Sequence, residues 1–82
     1  MRTNQLNEEE INVLKEIIRT TYKEEEICLG IENVFDPDRI FFVNGRCLGC
    51  LGSRIALLRD GVTRFYELST VKKIDFYRPQ QE

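Results

Sequence analysis

Cys47 and Cys50 stand in the stretch CLGCLGS, residues 47–53, and Cys28 heads another copy of the same Cys-Leu-Gly triplet. Thiols at a Cys-x-x-Cys spacing suit two chemistries, metal ligation as thiolates and dithiol–disulfide exchange. A closed structural zinc site takes four ligands from thiolate, imidazole or carboxylate. The chain has three cysteines and no histidine, so neither an all-cysteine site nor a mixed cysteine–histidine site can close within one molecule. Three thiolates with a carboxylate, or ligands shared across a dimer, are the arrangements left. Flat strand geometry sends residues 47 and 50 to opposite faces unless Gly49 kinks the chain. Cysteine also packs as a small hydrophobe, and glycines at 49 and 52 suit a bulge or a helix lying close on a sheet. The expectation is packing, with no metal and no cofactor. A metal or redox protein is the second alternative reading.

Other catalytic chemistry is thinly supplied. Without histidine the usual general base and triad partner are missing. Ser53 and Ser69 have no evident activating base, and there is no phosphate-cradling glycine loop. Asp36 and Asp38 flank a proline, and Asp-Pro-Asp is turn chemistry before it is a cation site. The chain is expected not to be an enzyme.

Basic and aromatic residues offer more. Arginines and lysines from Arg39 to Arg78 are interleaved with Phe41, Phe42, Phe65, Tyr66, Phe76 and Tyr77. Sheets that bind single-stranded nucleic acid use such mixtures, rings stacking on bases and cations following phosphates. Tyr and Arg are equally the types enriched in protein interfaces. Adjacent residues in a strand point to opposite faces, so Phe65 and Tyr66 cannot both be core and cannot both be platform. The candidates for partner contact are Arg54, Arg59, Arg64, Tyr66, Lys72, Lys73 and Tyr77. The leading expectation is a small regulatory or inhibitory protein that binds a larger protein. Such regulators include those encoded by viruses or mobile elements. A single-stranded nucleic-acid-binding module is the first alternative, and a homo-oligomer is a further option.

The net charge of −2 conceals an asymmetry: residues 1–38 carry four basic and ten acidic side chains, residues 39–82 eight basic and four acidic. The basic half can meet an acidic partner. No apolar run is longer than Ile40–Val43 or Ile55–Leu58, too short to span a membrane. The opening MRTNQLNEEE lacks the apolar stretch of a secretory signal, and an odd cysteine count fits a reducing compartment. Cytoplasmic location is expected, and 82 residues make a single domain over 1–82.

These residues must be positioned by an α+β fold. Asn7 with Glu10 forms a capping-box pattern, and Ile11, Leu14, Ile18 and Tyr22 recur at helical spacing, widened by Val13 and Ile17. Thr21 and Glu24 repeat the box, with Ile27, Ile31 and Val34 as a following stripe. The reading is two helices, near 8–20 and 22–35, or one helix kinked at Thr20-Thr21, ending at Pro37. A rival makes Glu26–Ile31 a strand with Ile27, Leu29 and Ile31 on one face. In the basic half, Asn44-Gly45 and Asp60-Gly61 each read as a two-residue hairpin turn. A type I′ turn at Asp60-Gly61 pairs Arg59 with Val62, Ala56 with Phe65 and Arg54 with Glu67. Val71–Tyr77 is a further strand, entered through Ser69-Thr70. The outcome is an antiparallel meander of about four strands over 39–77 with the helical segment, about 8–35, on one face. Leu48, Leu51, Ile55 and Leu58 also sit at helical spacing, the pattern of a strand, Cys-x-x-Cys and helix redox motif. Two glycines and a serine inside that helix oppose it.

Overall fold

The computed structural model describes residues 7–33, 35, 36 and 38–78. Val34 and Pro37, which the sequence pattern makes part of a helical stripe and its stop, lie outside the described residues.

Helix α1 spans Glu8–Ile17 and begins as its cap dictates. The Glu10 N–H donates to Asn7 Oδ1 at 2.8 Å and the Asn7 N–H donates to Glu10 Oε1 at 3.0 Å, a reciprocal capping box. Residues Ile18–Tyr22 then widen into a single π turn, closed by the Lys23 N–H donating to Ile18 O at 2.9 Å. Among the described residues no second helix follows. Glu24 takes a left-handed φ of 72°, the chain leaves the helix, and Glu26–Glu32 forms strand β1. The period of two in Ile27, Leu29 and Ile31 prevails over the capping pattern because a neighbour strand pairs on each edge and that face is buried.

Strand β2 runs unbroken over Ile40–Leu51, which removes the hairpin expected at Asn44-Gly45. A type I′ turn needs φ above zero at both residues, and neither has it. Asn44 and Gly45 instead pair with Cys28 and Ile27. Gly45 is required by crowding: a Cβ there would stand 2.8 Å from the Leu58 carbonyl oxygen. The chain turns at Gly52-Ser53, and β3, Arg54–Arg59, returns as a strand rather than a helix. The Asp60-Gly61 turn is as expected, with φ of 55° and 79°, and β4, Val62–Glu67, pairs in the expected register.

A 3₁₀ turn at Leu68–Thr70 leads into β5, Val71–Phe76. The described residues form five strands against an expectation of about four, and these do not make a simple meander. The order is β4-β3-β2-β1-β5, all antiparallel, with β5 crossing to the far side of β1. One face is covered by the helix. Ile18, Ile27, Leu29, Cys47, Ile55 and Leu68 are fully buried there, with Ile11, Leu14 and Tyr22 packed against them. The Tyr22 and Phe76 rings meet with centroids 4.9 Å apart. Val13 and Ile17 lie off the packed stripe and remain exposed. No helix among the described residues is long and apolar enough to cross a membrane.

Candidate functional site

Register decides which side chains share a face. Ile55, Leu57 and Arg59 on β3 stand opposite Tyr66, Arg64 and Val62 on β4, so all six lie on the helix-bearing side. The helix covers only part of that side, and the β3–β4 hairpin extends past it. A surface hollow of about 340 Å³ results, lined by Val43, Leu57, Arg59, Val62, Arg64 and Tyr66. Its floor is apolar, from Val43 and the buried Leu57, while two guanidiniums flank it. Arg59 has one carboxylate near it, Asp60 at 3.8 Å, and Arg64 has no ion-pair partner among the described residues. Gly45 contributes no side chain beside Ile27, in the row that Arg59 continues.

Three of the seven predicted contact residues, Arg59, Arg64 and Tyr66, are thus brought together. Arg54 lies on the reverse face of the same hairpin, its Nε 2.7 Å from Glu67 Oε2. Lys72, Lys73 and Tyr77 belong to β5 and its exit, at the opposite edge of the sheet. Lys72 Nζ is 3.5 Å from Glu32 and Lys73 Nζ 3.9 Å from Asp75. Sequence reasoning misses Val43 and Leu57. Alternation along Phe41–Cys47 marks Val43, but a turn placed at Asn44-Gly45 breaks that count.

Among the described residues no helix lies on the reverse face. Ile40, Phe42, Leu51 and Phe65 are exposed on it, Phe42 at 60% and Leu51 at 69%. Ile40 and Phe42 lean over Gly30, where a Cβ would meet them at 3.0 and 3.1 Å. Tyr66 therefore packs toward the core and Phe65 faces outward, as adjacent strand residues must. This face also holds Glu26, Glu32, Glu67 and Asp75 among its cations, a dilution that weakens any phosphate track.

The cysteines resolve differently from flat geometry. A bulge falls between Cys47 and Gly49, where Gly49 has φ of 111°, and it turns both Cys47 and Cys50 to the helix-bearing face. Cys47 is fully buried, Cys50 half-buried beside a hollow lined by Lys15, Arg19 and Lys23. Burial pushes both thiols up from their ordinary pKa, opposed at Cys47 by a backbone hydrogen bond from Gly49. Protonated thiols are poor nucleophiles and poor ligands. Cys28 projects to the other face, opposite Asn44 and Asp75. Among the described residues no three His, Cys, Asp or Glu side chains gather as a metal site. The Ser53 hydroxyl donates to Glu67 at 3.2 Å, but the hydrogen bond from Arg54 holds that carboxyl below its usual pKa, making it a weak base.

The architecture is that of a one-helix, five-strand antiparallel α+β domain with an overhanging hairpin. Comparison with protein-family models, curated proteins and solved structures finds no match to this chain.

Proposed function

We propose that this chain is a small non-catalytic binding protein of the cytoplasm that regulates or inhibits a larger protein, and that the β3–β4 hairpin makes the contact. One observation carries the reading: Arg59, Arg64 and Tyr66 surround a hollow with an apolar floor beside the helix, and although Asp60 on its rim faces Arg59, Arg64 is unpaired among the described residues. Arginine and tyrosine over an apolar floor are the anchors of protein interfaces, where the ring and the floor supply burial and the guanidinium supplies bidentate hydrogen bonds. An acidic segment of the partner suits this charge. Lys72, Lys73 and Tyr77, at the far edge, are in this reading a second and separate patch.

The test compares capture of protein partners by the immobilised chain and by its Arg59→Glu/Arg64→Glu variant. The expected result is a protein retained by the former and lost by the latter at unchanged melting temperature. Equal retention by both, or none by either, overturns the reading. A salt series with random single-stranded DNA completes it. A steep fall of strong binding with salt would instead favour nucleic acid.

A further inference from the structure

Edge strands present rows of unpaired backbone donors and acceptors, and folded proteins guard them with lysines, prolines, bulges or covering segments. The two edges of this sheet are guarded unequally. β5 carries Lys72 and Lys73, and a bulge interrupts its register against β1. β4 reads Val-Thr-Arg-Phe-Tyr-Glu, without lysine or proline, and pairs with β3 over its whole length without a bulge.

A two-residue turn makes Arg59 and Val62 a hydrogen-bonded pair, and such pairs then alternate along the hairpin. The Leu68 N–H, donating to Ser53 O at 2.9 Å, continues that alternation past the strand end. Backbone groups of Val62, Arg64 and Tyr66 are therefore turned inward to β3, and those of Thr63, Phe65 and Glu67 point out of the sheet. The Glu67 carbonyl accepts the Thr70 hydroxyl at 2.7 Å and keeps a second lone pair.

We propose that β4 pairs antiparallel with β4 of a second copy of this chain, in the register centred on Phe65, about a two-fold axis perpendicular to the sheet. Phe65 then faces the partner's Phe65, and Thr63 faces the partner's Glu67, through outward backbone groups that exchange both hydrogen bonds. Arg64 stands opposite the partner's Tyr66 on the helix-bearing face, a cation beside a ring. Shifting the register by two residues toward the Asp60-Gly61 turn sets Arg64 opposite the partner's Arg64, with like charges directly opposed, and the opposite shift sets Thr63 against the partner's Ser69, beyond the strand, so that the ladder shortens. A shift by one sets inward groups against outward ones. The Phe65 register escapes these penalties and keeps the longest ladder, and the resulting contact is self-complementary and closed.

The test is sedimentation of the full chain across a wide concentration series, together with amide exchange read residue by residue. A dimer should grow with concentration, and the amides of Thr63 and Phe65 should exchange more slowly as it does. Thr63→Pro deletes an outward N–H at an edge position that accepts proline, and is expected to weaken association at least tenfold. Phe65→Lys reads the same contact through an exposed side chain, should the proline variant not fold. Phe42→Lys, on the same face but away from the edge, should leave association unchanged. A chain monomeric at every concentration overturns the proposal. So does a dimer that survives Thr63→Pro and Phe65→Lys, or one lost only in Phe42→Lys, which would be face-to-face packing.

Discussion

Arg54 Nε lies 2.7 Å from Glu67 Oε2 across the β3–β4 ladder, and the Ser53 hydroxyl donates to the other oxygen of the same carboxylate at 3.2 Å. The hydrogen bond from Arg54 is the larger cause holding the Glu67 pKa below its ordinary value, and Ser53 adds to it. A carboxyl depressed in the folded state contributes stability above its unfolded pKa, and that contribution disappears as pH falls through the folded value. Glu67→Gln should therefore lower the melting temperature slightly at neutral pH and make no difference in strong acid. Both side chains are exposed, so the neutral-pH effect should also shrink in high salt. Thermal melts of both proteins over an acid series check this.

Gly45 and Asn44 make opposite predictions. Gly45→Ala forces a Cβ to within 2.8 Å of the Leu58 carbonyl oxygen, a backbone atom that cannot swing away. The expected cost is about 1–3 kcal/mol, as for other overpacked sites. Asn44→Thr places a β-branched residue in the middle of a strand and should be within about 0.5 kcal/mol of neutral. Denaturant titrations decide, since a turn at these residues would make the threonine variant the damaged one.

Cys47 and Cys50 should behave as buried thiols. Burial raises both pKa values, so unfolding releases protons first in alkali. Native stability is then fully present below the unfolded thiol pKa, about 8.5, and falls as pH climbs from there through the folded values. The slope should flatten in Cys47→Ala/Cys50→Ala. A thiol reagent at neutral pH should modify Cys47 only on unfolding, and a native Cys47 that reacts at once would contradict its burial.

Ile18 and Ile17 test which side of the helix is packed. Ile18 is fully buried at the start of the π turn, while Ile17 is 44% exposed. Ile18→Ala should cost about 2–4 kcal/mol. Ile17→Ala should cost no more than about 0.5 kcal/mol. Equal costs in denaturant unfolding would mean that the apolar stripe is wider than the packing described.

What is legible in the sequence depends on how local the determining contact is. The capping box at Asn7 and the turn at Asp60-Gly61 are settled by neighbours within a few residues, and both stand in the structure as expected. Arg54 opposite Glu67 follows from that turn by counting. Glu26–Glu32 and Asn44-Gly45 are settled by distant strands: the first becomes β1 because β2 and β5 flank it, the second stays straight because β1 pairs with it and β3 takes up pairing from Arg46 onward. A cap or turn pattern carries no information about such partners. The candidate site divides likewise. Arg59, Arg64 and Tyr66 share a hairpin, and local counting groups them. Val43 comes from a strand whose course the Asn44-Gly45 pattern conceals, and the crossing of β5 carries Lys72, Lys73 and Tyr77 away to the other edge.

The placement of β5 against β1 also orders events during synthesis. Residues 26–32 leave the ribosome early, yet one flank of that strand gains its mate only when residues 71–76 emerge. Closure over so long an intervening chain is slow compared with hairpin formation. Until then the nascent polypeptide holds a half-finished interior strand, open to chaperones and to misplaced pairing. A premature stop codon after Glu67 would accordingly remove the buried Leu68 and leave β1 as a bare margin with its apolar row uncovered on one flank, and the truncated product should be cleared by proteolysis.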